Sequence, residues 1–111
     1  MRHKGYKIVA RGLRLRGAEL DLVAIDGRTI VFVEVKTRRT ENFGRPAEAV
    51  DARKQWHMTR AALFYLKRHG LLEYQSRFDV VGIIWPHGTK RPEIQHFLNA
   101  FEAKGIEGMY S

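Results

Sequence analysis

Two apolar segments joined by Asp26-Gly27 constrain the fold of this chain more than any other feature. Residues 18–25 and 30–37 are rich in valine, leucine and isoleucine, and an Asp-Gly pair between such segments is a strong β-hairpin signal. Apolar residues occupy both faces of each predicted strand, so other parts of the chain should cover both faces. The sequence therefore predicts a hairpin inside a protein core.

Charged residues interrupt both strands at alternate positions, namely Glu19, Asp21, Glu34 and Lys36. Buried charges destabilise a protein unless they are paired or bind a metal ion. Residues two apart on a strand share a face, so each strand presents its two charged groups on one side. We therefore expect three carboxylates and one lysine to cluster on a single face of the hairpin.

The register of the hairpin decides which of these groups face one another. A loop at residues 26–27 would set Glu19 opposite Glu34, whereas a loop at residues 27–28 would set Asp21 opposite Glu34. Either loop brings the charged groups to one face, because directly opposed residues share a face. A loop of odd length would separate them.

Such a cluster suits metal-dependent hydrolysis of phosphodiester bonds. Asp21 and Glu34 supply the oxygen ligands that Mg²⁺ prefers, Mn²⁺ could replace it, and the Val35 carbonyl is a third candidate ligand. Lys36 can orient or deprotonate the attacking water, or stabilise the charged transition state. Glu19 can hold a second metal ion or an outer water. The alternative is a cross-strand Glu–Lys pair on a solvated face.

The chain is strongly basic, with 20 Lys+Arg against 12 Asp+Glu and a formal net charge of +8. A basic surface binds phosphate backbones through counterion release, although many basic proteins have no nucleic-acid partner. We expect a nucleic acid, DNA in particular, as the partner. The candidate contacts are the basic residues around the charged strands and on the predicted helix: Arg16, Arg38, Arg39, Arg45 and Lys54.

Length and composition predict a single domain over residues 1–111 with one modest core. The chain has no cysteine, which excludes disulfides and thiolate metal sites. It has no apolar run of about 18 residues and no leader, so we expect a cytoplasmic protein without membrane contact.

The remaining segments predict further strands and one helix. The helix should begin at Pro46 and end before Gly70, and the order of elements favours a mixed α/β sheet with this helix across one face. Trp56 and Tyr74 could stack on bases, but we expect Trp56 to pack against the core. We expect Asp79 to pair with Arg77 or a loop amide and not to bind a metal ion. The further strands are predicted over residues 6–16, 77–85 and 93–100.

The runs GAELDLVA at residues 17–24 and VFVEVKTR at residues 31–38 closely resemble the bacterial UPF0102 (YraN) family. That family is grouped with the PD-(D/E)xK, or restriction-endonuclease-like, nucleases and looks distantly like archaeal Holliday junction resolvases. The resemblance matches Asp21, Glu34 and Lys36 to the nuclease motif, with Glu19 as the adjacent acid. The resemblance continues through residues 43–46, 48–50, 54, 77–81, 96 and 99–101.

The resemblance implies a four-stranded mixed core flanked by helices, and a Mg²⁺-dependent endonuclease-like activity on DNA, including branched or damaged structures. The alternatives are a nucleic-acid-binding module of the same fold without turnover, and a structural protein whose acids serve as ion pairs. A homodimer is compatible with cutting two strands. Family members usually begin with a helix before the segment that matches Gly5-Tyr6, and we expect that helix to be largely absent here.

Overall fold

The computed structural model describes residues 5–15, 18–38, 50–85 and 91–102. The five strands form one sheet in the order β1-β2-β3-β4-β5, in which β3 and β4 are parallel and the other neighbours antiparallel. The predicted mixed α/β architecture of five strands and one helix is confirmed, whereas the resemblance implied a core of four strands. The elements are β1 (Lys7–Leu15), β2 (Ala18–Asp26), β3 (Thr29–Arg38), α1 (Ala52–Arg68), β4 (Ser76–Ile84) and β5 (Glu93–Phe101).

Residues 27–28 form the loop of the β2–β3 hairpin, since Asp26 pairs with Thr29. Gly27 adopts a φ of +62°, a left-handed conformation that suits glycine. Of the two even loops that the sequence allowed, the structure has the one whose register sets Asp21 opposite Glu34.

Helix α1 begins at Ala52, later than the predicted start at Pro46, which lies outside the described residues. Asp51 is extended and its side chain accepts a hydrogen bond from the Lys54 amide at 2.8 Å, so this aspartate caps the helix. The other end follows the prediction. Gly70 adopts a φ of +66°, and the next amide, of Leu71, donates to the Leu66 carbonyl at 2.7 Å.

Helix α1 covers one face of the sheet, and the main core lies between them. Phe78 stacks on Phe101 with 4.8 Å between ring centroids and lies 5.7 Å from Phe32. Burying each large apolar side chain contributes roughly 1.5–3 kcal/mol. The buried members of this core are Leu20, Val23, Ile30, Phe32, Val50, Met58, Ala61, Ala62, Leu66, Phe78, Val80 and Phe101.

The opposite face of the sheet buries a second apolar cluster, which includes Val31 and Val33 of β3. Both of these valines are fully buried, as is Phe32 between them. Apolar side chains are therefore buried on both faces of the hairpin, although the sequence predicted only one helix to cover them. Among the described residues, no helix combines the length and the apolar character needed to cross a bilayer.

Strand β5 ends at Phe101, one residue beyond its predicted end at residue 100. The pairing of β4 with β5 shifts between Phe78 and Val80, and Asn99 in the shifted segment has a φ of +51°. The irregularity is a β-bulge that keeps the strand in the sheet after the apparent end of its apolar pattern.

Candidate functional site

The alternation of side chains between the two faces shifts by one residue (a phase change) in β1 and β2 near Gly12 and Asp21, which lie between the register pairs Arg11–Leu22 and Leu13–Leu20. Gly12 adopts a φ of +57°, which residues with a Cβ rarely tolerate. As a result, Leu20 and Val23 both reach the core under α1 although they are three residues apart. A regular strand would have placed them on opposite faces.

The backbone pairing of β2 with β3 stops at Leu22 and Val33. Beyond that point the Val35 amide donates a hydrogen bond to Oδ2 of Asp21 at 2.8 Å. The aspartate side chain therefore takes the place of a main-chain partner from β2. This arrangement holds the Asp21 carboxylate at the split between the two strands, beside Glu34.

Glu34 is the buried carboxylate of the cluster, with only 3% of its side chain exposed. Its Oε2 lies 3.1 Å from Nζ of Lys36 and 3.3 Å from Nζ of Lys54, so one lysine comes from its own strand and the other from α1. Its Oε1 is also buried and has no hydrogen-bond partner in the part of the chain that the structure describes. An unpaired buried carboxylate oxygen costs free energy, which marks this atom as a candidate ligand position.

Burial raises the pKa of Glu34 above its ordinary value. The hydrogen bond from Lys36 and the charge of Lys54 oppose this rise, whereas the neighbouring Asp21 carboxylate adds to it. A carboxylate whose pKa is shifted by both burial and a second acid is typical of metal and catalytic sites, and also occurs in structural ion pairs.

Glu19 lies apart from the cluster. Its half-exposed carboxylate is 3.7 Å from Nε of Arg14 on β1. The phase change at Asp21 interrupts the regular alternation of β2, so Glu19 and Asp21 do not share a face as the sequence predicted. The expected shared face is thus correct for Asp21, Glu34 and Lys36 and wrong for Glu19.

Of the five basic candidates, the structure places the side chain of Lys54, which contacts Glu34. Arg38 ends β3, and its side chain lies outside the described part. Arg16, Arg39 and Arg45 lie outside the described residues altogether. Their predicted contacts with nucleic acid stay predictions.

The hairpin split brings together two carboxylates that could serve as ligands of a Mg²⁺ ion. The described ranges hold no group of three or more His, Cys, Asp or Glu that could bind a metal ion by itself. Mg²⁺ does not require such a group, because it usually takes one or two carboxylates and completes its shell with water and substrate phosphate. Asp21 and Glu34 provide two carboxylates, and Oε1 of Glu34 is available.

The exposed face of α1 adds a feature that the sequence analysis missed. Residues 52–68 include five Lys or Arg and no Asp or Glu, and the first turn carries no acid. Positive charges near a helix N-terminus oppose the helix dipole by about 0.3–1 kcal/mol each.

Trp56 is 42% exposed, so the prediction that it packs against the core is wrong. The guanidinium of Arg60 instead lies 4.8 Å from the centre of its ring.

A second polar cluster surrounds Asp79, which is fully buried on the face away from α1. Its carboxylate accepts hydrogen bonds from Nε of Arg77 at 3.0 Å, from the Asn99 amide at 2.9 Å and from Nε2 of His96 at 2.7 Å. The predicted pairing of Asp79 with Arg77 is confirmed, whereas the amide that donates to Asp79 belongs to strand β5 and not to a loop.

Arg77 extends this cluster toward the hairpin. Its Nη2 lies 3.1 Å from Oδ2 of Asp26 and donates to the Tyr6 hydroxyl. The cluster therefore ties β4 to the loop end of the hairpin, on the face of the sheet away from Glu34.

An apolar cleft of about 350 Å³ also opens near the hairpin loop. Ile30, Tyr65 and Tyr74 are among the residues that line it, and neither Asp21 nor Glu34 does. The carboxylate cluster is thus separate from this cleft.

The fold and the site together define a mixed α/β protein that buries a lysine-paired glutamate where two hairpin strands separate. The chain belongs to the UPF0102 family, because the model of the family described as "Uncharacterised protein family UPF0102" matches residues 1–83. The family resemblance noted in the sequence is therefore confirmed.

Curated relatives agree with this assignment over most of the chain. A UPF0102 protein of Rhodopirellula baltica is 46% identical over 113 residues, which cover 99% of this chain and 68% of the relative. A UPF0102 protein of Geobacter sulfurreducens is 50% identical over 97 residues, which cover 87% of this chain and 75% of the relative. One from Symbiobacterium thermophilum is 48% identical over 99 residues, covering 89% and 83%.

Proposed function

We propose that this protein is a Mg²⁺-dependent endonuclease-like enzyme that binds DNA and hydrolyses phosphodiester bonds, including those of branched or damaged structures. The observation that carries the proposal is the meeting of Asp21, Glu34 and Lys36 at the hairpin split, with one buried carboxylate oxygen unpaired. The proposal includes a restriction-endonuclease-like fold, which is consistent with the mixed sheet and the helix on one face.

Asp21 and Glu34 would hold the metal ion through carboxylate oxygens. In a strand, the N–H and C=O of one residue point to the same neighbour, and the Val35 amide points to Asp21. The Val35 carbonyl therefore also faces the side that β2 has left, which supports its role as a third ligand. When bound, Mg²⁺ supplies positive charge at the phosphate and lowers the pKa of a water ligand.

Lys36 would act on the attacking water or on the charge of the phosphate. Its Nζ already lies 3.1 Å from Glu34, so the ammonium is within reach of any group held by that carboxylate. Lys54 lies at a similar distance on the helix side, and we propose that it contacts the phosphate backbone. For Glu19, which lies apart from Glu34, we propose only that it holds a water molecule at the edge of the site.

The charge of the chain supports a nucleic-acid partner. The net charge is +8, and α1 alone carries five positive side chains without an acid. Such a surface releases counterions from a phosphate backbone, which makes affinity fall steeply with salt. Cutting both strands of a duplex would call for two copies of the site, so we keep a homodimer as part of the proposal.

A second candidate function is nucleic-acid binding without hydrolysis. It is favoured by the two lysines on Glu34, because they neutralise the carboxylate without any metal ion. In that case the cluster would be a structural ion pair in a binding module of the same fold.

Calorimetric titration with Mg²⁺ and Mn²⁺ distinguishes the two candidates. We expect the wild type to bind the ion, Asp21→Asn to lose binding, and Asp26→Asn to bind as the wild type does, since Asp26 is on the same strand but outside the cluster. Cleavage of single-stranded, duplex and branched DNA should require the metal ion and both carboxylates. Salt-sensitive DNA binding without metal binding or cleavage would favour the second candidate.

A further inference from the structure

The exposed side of α1 carries a continuous row of basic and aromatic side chains. Their spacing of three and four residues places them on one side of the helix. The row is about 21 Å long at ~1.5 Å per residue. We call it the α1 stripe, and its members are Arg53, Trp56, His57, Arg60, Phe64 and Lys67.

The centre of the α1 stripe is an aromatic platform. Trp56 exposes 42% of its surface, the Arg60 guanidinium lies 4.8 Å from the centre of its ring, and the edge of His57 meets it with 5.2 Å between centroids. An exposed tryptophan gains little from the core of its own protein. Because the Arg60 guanidinium lies over one face of the ring, a base can stack on the exposed part of the indole or on the guanidinium plane.

The stripe begins beside the carboxylate cluster. Lys54, next to Arg53 on the helix, reaches Oε2 of Glu34 at 3.3 Å. The N-terminal end of the stripe therefore lies in the same helical turn as a lysine that contacts the proposed metal site. At ~3.4 Å per stacked nucleotide, the stripe spans about six nucleotides.

We infer that the α1 stripe binds a single-stranded segment of nucleic acid, with an unpaired base stacked on Trp56 and phosphates at Arg53 and Arg60. The nature of the partner rests on the proposed function. The charge pattern favours a polyanion, because residues 52–68 carry no acid. The exposed ring favours unpaired bases, because the faces of bases inside a duplex are covered by their neighbours.

The two tryptophans of the chain, Trp56 and Trp85, allow a direct test by fluorescence. Both are exposed, so Trp85→Phe leaves Trp56 as the single reporter and Trp56→Phe leaves Trp85 as the matched control. The probe is an oligothymidylate of about 16 nucleotides, the upper end of single-strand site sizes, in low-salt buffer with EDTA. We expect the probe to quench Trp56 and to leave Trp85 unchanged.

Affinity measurements on variants complete the test. Trp56→Ala should weaken oligothymidylate binding by about tenfold, and Trp56→Phe should retain most of the affinity. Arg53→Gln with Arg60→Gln should lower the slope of log affinity against log salt by about 0.7 per lost phosphate contact. The control pair Lys7→Gln with Arg11→Gln removes the same charge from exposed positions of β1 and should change the slope less. Circular dichroism checks that each variant is folded.

Several outcomes would overturn the inference: no binding of the probe at low salt, no quenching of Trp56, equal quenching of Trp85, or an equal effect of the two charge pairs. Tighter binding of a blunt duplex than of the single strand would also overturn it. Metal-dependent cleavage without any quenching of Trp56 fluorescence would overturn the inference about the α1 stripe and leave the proposed function intact. Binding of the probe through Trp56 without metal binding or cleavage would support nucleic-acid binding by the α1 stripe and contradict the proposed nuclease activity.

Discussion

The carboxylate of Asp21 accepts a hydrogen bond from the main-chain amide of Val35 at 2.8 Å, just beyond the last backbone pair of β2 with β3. The Asp21 side chain thereby supplies the hydrogen-bond acceptor that the backbone of β2 no longer provides to the Val35 amide. The same contact holds Asp21 beside Glu34. Structural stability and the proposed metal site therefore depend on one residue, and suitable substitutions can separate the two roles.

Replacing Asp21 should affect stability and metal binding differently. Asp21→Ala leaves the Val35 amide without its acceptor, so we expect the free energy of unfolding to fall by about 1–3 kcal/mol. Asp21→Asn keeps an oxygen acceptor and should lose less, while both variants should lose Mg²⁺ binding. Urea unfolding and calorimetry measure the two effects. An Asn variant as unstable as the Ala variant would mean that the contact depends on the charge.

The stability of the protein should depend on the protonation of Glu34. Because burial raises its pKa in the folded state, the folded chain binds this proton more tightly than the unfolded chain does. The resulting stabilisation is fully present below the ordinary pKa of 4.5 and is lost as the pH rises through the raised value. Glu34→Gln should therefore unfold at a higher temperature than the wild type at pH 7.

Thermal unfolding without metal ions checks this prediction. The gain in stability for Glu34→Gln should be present at neutral pH and should disappear in acid, where the wild-type carboxyl group is also uncharged. A variant that is less stable than the wild type at pH 7 would show that the ion pairs with Lys36 and Lys54 outweigh the cost of burial.

The buried carboxylate of Asp79 should contribute far more to stability than the exposed carboxylate of Asp26. Asp79→Ala leaves Arg77 and His96 without their buried partner, so we expect a loss of about 3–5 kcal/mol. Asp26→Ala removes a contact that is 40% exposed on the aspartate side, and we expect a loss below about 1 kcal/mol. Urea unfolding compares them, and similar losses would contradict the distinction.

Gly12 should be sensitive to any side chain for reasons of backbone conformation alone. A Cβ at this position would meet no atom within 4 Å, whereas the φ of +57° is left-handed. We expect Gly12→Ala to cost roughly 1–2 kcal/mol and Gly12→Asn to cost less, since asparagine visits this region more readily. Thermal unfolding of both variants is the measurement. An Ala variant as stable as the wild type would show that the phase change does not need glycine.

The local parts of the fold could be predicted from sequence because they depend on neighbouring residues. Asp-Gly between apolar segments indicated the hairpin, and Gly70 indicated the end of α1. The start of α1 was placed too early because Pro46 is a good first-turn residue, while the side chain of Asp51 forms the cap. Trp56 was expected in the core because its size favours burial, yet its position on the helix faces solvent.

The sequence by itself determined a hairpin with Asp21, Glu34 and Lys36 at its outer end, since turn chemistry and strand alternation are local properties. The tertiary structure alone decided which charged groups meet. Glu19 turns to Arg14 because β1 and β2 change phase together at Gly12 and Asp21, and that change is a property of paired strands. Lys54 reaches Glu34 only because α1 packs across the sheet, which brings residues distant in sequence onto one carboxylate.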